Sequence, residues 1–123
     1  NSRGYILSGP EYLTVFNGQT GSAEHTIFYR PNRAFGSSGS ASYSGDWGDT
    51  YGNRGDRFLA TVAYLDGPDA RPSAVMCRGY YTRAYLWAVN FDGKVLSTKW
   101  LHGSVDNNTV TSWDANGKLT MKT

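Results

Sequence analysis

The sequence predicts an all-β chain, and three observations carry that prediction. Aromatic residues make up 15% of the chain and nine of them are tyrosine, and aromatic and β-branched side chains suit the pleated surface of a strand. Glycine and proline number 15 and 4 in 123 residues, enough to punctuate the chain with turns. Through the middle of the chain, segments of strand length follow one another, each closed by a glycine-containing turn.

Taken in order, Tyr12-Leu13-Thr14-Val15-Phe16 is the first strand. Asn17-Gly18-Gln19-Thr20-Gly21 follows as a tight hairpin turn, since Asn-Gly supplies the positive φ such a turn needs. Residues 25–29 return. Residues 30–57 form a long loop whose centre, Gly36-Ser37-Ser38-Gly39-Ser40-Ala41-Ser42, is low in complexity and expected to be flexible. Strands are then predicted at 58–65, 73–78, 84–91 and 95–101, closed by Asp66-Gly67-Pro68, Gly79, Asp92-Gly93 and His102-Gly103.

Four antiparallel strands in about 45 residues match one blade of a β-propeller. A sandwich or meander is an equally good reading of strand count alone. Three turns share an outline: Asn17-Gly18, Asp92-Gly93 and Asn116-Gly117. The first two are 75 positions apart and the last two only 24. The expected organisation is the outer half of a blade at 9–29, an inserted loop at 30–57, a full blade at 58–103 and a tail at 104–123 that does not complete another. Such a fragment leaves sheet faces without neighbours, so a longer natural protein is expected.

The charge balance argues against some partners. Net charge is +2 with no Lys/Arg run, so nucleic acid is not indicated. No apolar run is long enough to span a membrane. The mildly basic balance suits an acidic polysaccharide. The single cysteine, Cys77, permits neither an internal disulfide nor a thiolate metal site. Asn1-Ser2-Arg3-Gly4 does not have the pattern of a signal peptide, and the chain reads as a mature or excised fragment. Asn107-Asn108-Thr109 is a formal glycosylation sequon.

Two constellations carry possible chemistry. The run Trp47-Gly48-Asp49-Thr50-Tyr51-Gly52-Asn53-Arg54-Gly55-Asp56-Arg57 sets Asp49, Asn53 and Asp56 among glycines, as a loop coiling around Ca²⁺ would. The alternative is a polar turn in which Asp49 and Asp56 pair with Arg54 and Arg57. The run Arg78-Gly79-Tyr80-Tyr81-Thr82-Arg83 flanks two tyrosines with arginines. Arginine clamps carboxylates with parallel hydrogen bonds and tyrosine stacks on sugar faces, so Arg78, Tyr80, Tyr81 and Arg83 form a candidate uronic-acid site. The alternative is a hairpin with solvated arginines. His25 and His102, far apart in sequence, are expected to be structural or exposed, Glu11 and Glu24 to be surface carboxylates, and Cys77 to be a buried small hydrophobe.

Several of these words together resemble one family. Gly9-Pro10-Glu11-Tyr12-Leu13-Thr14-Val15-Phe16-Asn17-Gly18, then Gly45-Asp46-Trp47-Gly48-Asp49-Thr50-Tyr51-Gly52-Asn53-Arg54, Asp56-Arg57-Phe58-Leu59-Ala60 and Val75-Met76-Cys77-Arg78-Gly79-Tyr80-Tyr81-Thr82-Arg83-Ala84 are similar to polysaccharide lyase family eleven, the rhamnogalacturonan lyases. The likeness runs over about residues 9–101 and implies about a fifth of such a protein. It further implies an eight-bladed β-propeller, extracellular location, bound calcium, and β-elimination in the rhamnose–galacturonic acid backbone of pectin, with rhamnogalacturonan I as partner. Gly55 stands where the family usually has valine, and the tail after Trp100 is expected to depart from the family. None of Lys94, Lys99, Lys118 and Lys122 is placed as a catalytic base. The base is expected in the remaining blades and the isolated chain is expected to be inactive. A non-catalytic carbohydrate-binding module, with Tyr80, Tyr81 and Trp47 stacking on sugars, and a purely structural fragment are the other readings.

Overall fold

The computed structural model describes residues 1–36, 40–42, 45–104, 109–113 and 119–121. The strands are β1 (Ser8–Pro10), β2 (Tyr12–Phe16), β3 (Ala23–Phe28), β4 (Ser40–Ser42), β5 (Phe58–Ala63), β6 (Ser73–Arg78), β7 (Tyr85–Phe91), β8 (Leu96–Gly103), β9 (Thr109–Trp113) and β10 (Leu119–Met121), with one 3-10 turn at Gly45–Trp47. The fold is all-β, and every pairing is antiparallel. Among the described residues no helix is long and apolar enough to cross a membrane.

The four strands predicted in the middle of the chain are β5 to β8. They do not stand alone. β9 and β10 pair onto β8, giving a six-stranded meander in the order β10-β9-β8-β7-β6-β5. The β2–β3 hairpin is a separate ribbon, joined to the meander by a hydrogen bond from the Leu96 N–H to His25 Nδ1 at 2.9 Å. The short pair β1–β4 was not anticipated. The Asn116-Gly117 turn, the Asn107-Asn108 part of the sequon and the centre of the Gly/Ser run fall outside the described residues.

The first hairpin turn differs from the expected one. Positive φ falls on Gly21, not Gly18. Asn17 closes a longer turn instead, its Oδ1 accepting from the N–H groups of Gln19 and Thr20 at 2.9 and 3.1 Å. This is an Asx turn, the commoner use of a short amide side chain. Asp92-Gly93 behaves as predicted: Gly93 has φ 99°, and Asp92 Oδ1 accepts from Lys94 and Val95 N–H groups.

Strand alternation sorts the side chains of the meander onto two faces. Register places Phe58, Arg78, Tyr85 and Gly103 in one row across the inner face, and Ala60, Met76, Trp87 and Leu101 in the next. Gly103 has to be small there, because a Cβ would lie 2.6 Å from the Tyr85 ring. The core comprises Tyr29, Phe35, Trp47, Met76, Tyr85, Trp87, Val89 and Leu101. Two of these come from the long loop that the sequence suggested was an insertion. Phe35 and Trp47 meet edge-on at 5.3 Å, and both rings pack against Tyr85. Each buried large side chain contributes roughly 2–3 kcal/mol, so this loop is fastened to the sheet at both rings.

Candidate functional site

The turn between β6 and β7 begins at Gly79, where φ is 99°. A Cβ at that position would lie 2.1 Å from the Arg83 carbonyl oxygen, so only glycine fits. The Gly79 N–H donates to the Arg57 carbonyl at 3.1 Å, and the Thr82 hydroxyl donates to the Trp47 carbonyl at 2.6 Å. Both ends of the turn are thereby tied to the loop ahead of β5. The constraint pushes Tyr80 and Tyr81 outward, 71% and 48% exposed, with their rings edge-to-face at 4.9 Å.

Arg54 lies over this pair. Its guanidinium carbon is 4.0 Å from the Tyr81 ring centre and 5.0 Å from that of Tyr51. Its Nη2 is 2.7 Å from Asp49 Oδ2. The Tyr51 backbone N–H and then Arg54 hold the Asp49 carboxyl below its usual range. Tyr5 packs edge-on to Tyr51 at 6.2 Å. Arg83 lines a small recess here with Asp49, Arg54, Tyr80 and Tyr81. The result is a tyrosine-rich surface bordered by Arg54, paired with Asp49, and by Arg83, whose guanidinium also lies over the buried Phe35 ring at 5.6 Å; such a surface suits the apolar faces and carboxylates of sugar acids.

Arg78 is not part of this surface. It lies on the inner face and is 1% exposed. Its Nη1 donates to Glu11 Oε2 and the Pro31 carbonyl, both at 2.9 Å. Its Nη2 donates to Glu11 Oε1 at 2.8 Å and Asp56 Oδ1 at 2.6 Å. The guanidinium also sits over Phe58 at 4.9 Å and Trp47 at 5.1 Å. Arg33 completes the cluster, 3.2 Å from Glu11 and 4.0 Å from Asp56. Two arginines and two carboxylates thus neutralise one another inside the protein. Arg78 is therefore a buried tie between β6, the segment before β2 and the loop, rather than a ligand clamp. Glu11, read as a surface carboxylate, is the hinge of that network.

Trp47 is also corrected as a sugar-stacking residue. It is 2% exposed, and its Nε1 donates to the Asn32 and Arg33 carbonyls. Cys77 is only half-buried, on the outer face of the sheet. His25 has the structural role expected of it, accepting from Leu96.

The expected calcium trio is divided between two ion pairs. Asp49 is engaged by Arg54, and Asp56 by Arg78 rather than the neighbouring Arg57. Ca²⁺ requires six to eight oxygen ligands, and a cation here would have to displace guanidinium groups from both carboxylates. Among the described residues no three His, Cys, Asp or Glu side chains converge as a metal site. As a set, Asp49, Asn53 and Asp56 do not fit the cation in this arrangement.

Comparison with known proteins assigns this all-β chain to a family of polysaccharide lyases. Residues 1–123 match the family model described as rhamnogalacturonan lyase family 11, C-terminal domain. The chain belongs to that family. It is 55% identical over 104 residues to the rhamnogalacturonan exolyase YesX of Bacillus subtilis, covering 85% of this chain and 15% of that protein. It is 48% identical over 122 residues to the rhamnogalacturonan endolyase YesW of the same organism, covering 98% and 18%. Among solved structures, a rhamnogalacturonan lyase of Bacillus licheniformis superposes with TM-score 0.71 at 47% identity, covering 98% of this chain and 21% of that one. YesX superposes with TM-score 0.69 at 46% identity, covering 98% and 20%. The family match includes the tail after Trp100, which the sequence reading had set apart from the family. The chain spans about a fifth of the length of these relatives.

Proposed function

We propose that this chain is the substrate-contacting part of an extracellular rhamnogalacturonan lyase. In this reading it works within a longer, eight-bladed propeller that cleaves the rhamnose–galacturonic acid backbone of pectin by β-elimination. Family membership supports the reaction class. The observation that carries the reading is the Tyr80–Tyr81 surface with Arg54 and Arg83, held out by a turn that only glycine can make.

β-Elimination removes the proton at C5 of galacturonate and expels the substituent at O4. The C5 proton is weakly acidic because the adjacent carboxylate is already negative. A guanidinium paired with that carboxylate draws off charge and stabilises the enolate-like intermediate. Arg83, which has no ion pair among the described residues, would take that role here, while Arg54 stays paired with Asp49 and Tyr80 and Tyr81 hold the pyranose rings in place. A base must accept the C5 proton. Lys99 is paired with Asp66, and Lys94 lies in the β7–β8 turn, on a different connection from Tyr80 and Tyr81. In this reading the base lies in the remaining blades. Calcium has no step in this scheme.

The test is kinetic. In a full-length lyase containing this segment, replacing Tyr80 and Tyr81 together by alanine should raise KM for rhamnogalacturonan roughly tenfold, at about 0.5–1.5 kcal/mol for each of the two rings. An unchanged kcat/KM would sink the proposal. Affinity of the isolated chain for pectin fragments without any product would instead favour a binding module.

A further inference from the structure

Strand alternation sends Arg78 and Arg57 to opposite faces. Phe58 pairs with Arg78 on the inner face, and Leu59 pairs with Cys77 on the outer one. Arg57, two residues before Leu59, belongs to the outer set. There it lines a cleft of about 430 Å³ with Asp56, Phe58, Leu59, Cys77, Gly79 and Tyr80. That volume is within the range of small-ligand sites.

Three features make this cleft more than a surface depression. Arg57 is exposed, and no ion pair or hydrogen bond engages its guanidinium among the described residues. Its backbone carbonyl accepts from the Gly79 N–H at 3.1 Å, which fixes the start of the Tyr80 turn beside it. The arginine and the tyrosine are thus held on one cleft by a backbone bond that neither side chain disturbs. Finally, the one carboxylate on the wall, Asp56, is turned toward Arg78 at 2.6 Å and Arg33 at 4.0 Å. Its charge is met from within the protein and does not repel an anion.

The chemistry of the walls selects the ligand. Leu59 is 74% exposed and, beside Cys77, offers an apolar floor. Tyr80 offers a ring for the C–H face of a pyranose, and Arg57 a fork for a carboxylate. We propose that this cleft is a binding subsite for a hexuronate unit of an acidic polysaccharide, with Arg57 as the carboxylate-reading residue and Tyr80 as the stacking one. The assignment rests on the lyase reading above and adds a subsite to it, in which Arg57 takes the part that the sequence suggested for Arg78.

Calorimetric titration of the 123-residue chain tests it, using a rhamnogalacturonan tetrasaccharide and its carboxyl-reduced form as probes. The wild type should bind the acidic form about tenfold tighter than the reduced one, as a charge-assisted pair implies. Arg57→Gln should abolish that preference, and Tyr80→Ala should weaken both forms equally. Arg3→Gln, which removes the same charge from the exposed amino-terminal segment, should leave the preference intact. Matching melting curves for all variants exclude unfolding as the cause. A preference that persists in Arg57→Gln, or equal loss in Arg3→Gln, overturns the subsite. Absence of binding by the wild-type chain overturns it too, while product formation by the full-length lyase separately decides the lyase reading.

Discussion

Replacing Arg78 by methionine should be among the most damaging single changes on the inner face. The guanidinium is fully buried and reaches Glu11, Asp56 and the Pro31 carbonyl with bonds of 2.6–2.9 Å. Among the described residues the cluster with Arg33 pairs two guanidinium groups with two carboxylates, and losing Arg78 removes one of the two positive charges that meet them. Removing one partner of a buried ion pair costs about 3–5 kcal/mol. Arg33 still faces both carboxylates at 3.2 and 4.0 Å, which argues for the lower end, about 3 kcal/mol. For a chain of this length that corresponds to a fall in Tm of about 10 °C. Methionine retains most of the packing volume against Phe58 and Trp47, so the loss reports charge more than cavity. Urea unfolding followed by tryptophan fluorescence measures it. Arg83→Met is the control, because Arg83 is half-buried without an ion pair among the described residues, and it should cost less than about 1 kcal/mol. Combining Arg78→Met with Glu11→Gln removes one charge of each sign, so the two losses should fall short of additive. A cost below about 1 kcal/mol for Arg78→Met, at unchanged m-value, would refute the buried-cluster argument and return Arg78 to the surface.

Three further outcomes follow. Gly79→Ala should destabilise by more than about 2 kcal/mol, because positive φ and an immovable backbone oxygen both oppose the methyl group; thermal melting measures it, and a neutral result would mean the turn is not as drawn. Asp49, Asp66 and Asp92 are all held below the ordinary aspartate value of 3.8, Asp49 and Asp92 chiefly by backbone N–H groups and Asp66 chiefly by Lys99. Carboxylates depressed by folding stabilise above their unfolded value and lose that contribution as pH falls through the folded one. Stability should therefore be flat near neutrality and decline below about pH 4, with a shallower decline in Asp92→Asn. Calcium added after chelator treatment should move Tm by less than about 1 °C, since a ligand that does not bind does not stabilise; a rise of several degrees that disappears in Asp49→Asn would reinstate the trio as a metal site.

Much of the strand pattern was legible because each strand of the central meander is locally self-declaring. β5 to β8 carry the β-branched and aromatic residues, and Gly67, Gly79 and Gly93 all adopt the positive φ their turns demand. β1 and β4 were not legible, being three residues each and paired across about thirty positions. The Asn17 turn misled because Asn-Gly has two uses, and only the closure between Asn17 and Ser22 shows which applies. At the site, the tyrosines were readable as a pair, but the fate of the arginines was not. Arg78 meets Glu11 67 positions away, and no local pattern encodes that partnership. A period-two count from Leu59 and Cys77 would have separated Arg57 from Arg78 by face, had the strand register been known. Trp47 and Phe35 were hidden by the Gly/Ser-rich run between them, which made a core-building loop look like an insertion.

The most direct test of the central claim is a paired assay for the unsaturated galacturonate product, followed by its ultraviolet absorbance. A full-length protein containing this segment should generate that absorbance from rhamnogalacturonan I, and the 123-residue chain alone should generate none. Product from the isolated chain would place a base within it and contradict the division of labour argued above. A silent full-length protein would contradict the assignment of β-elimination itself.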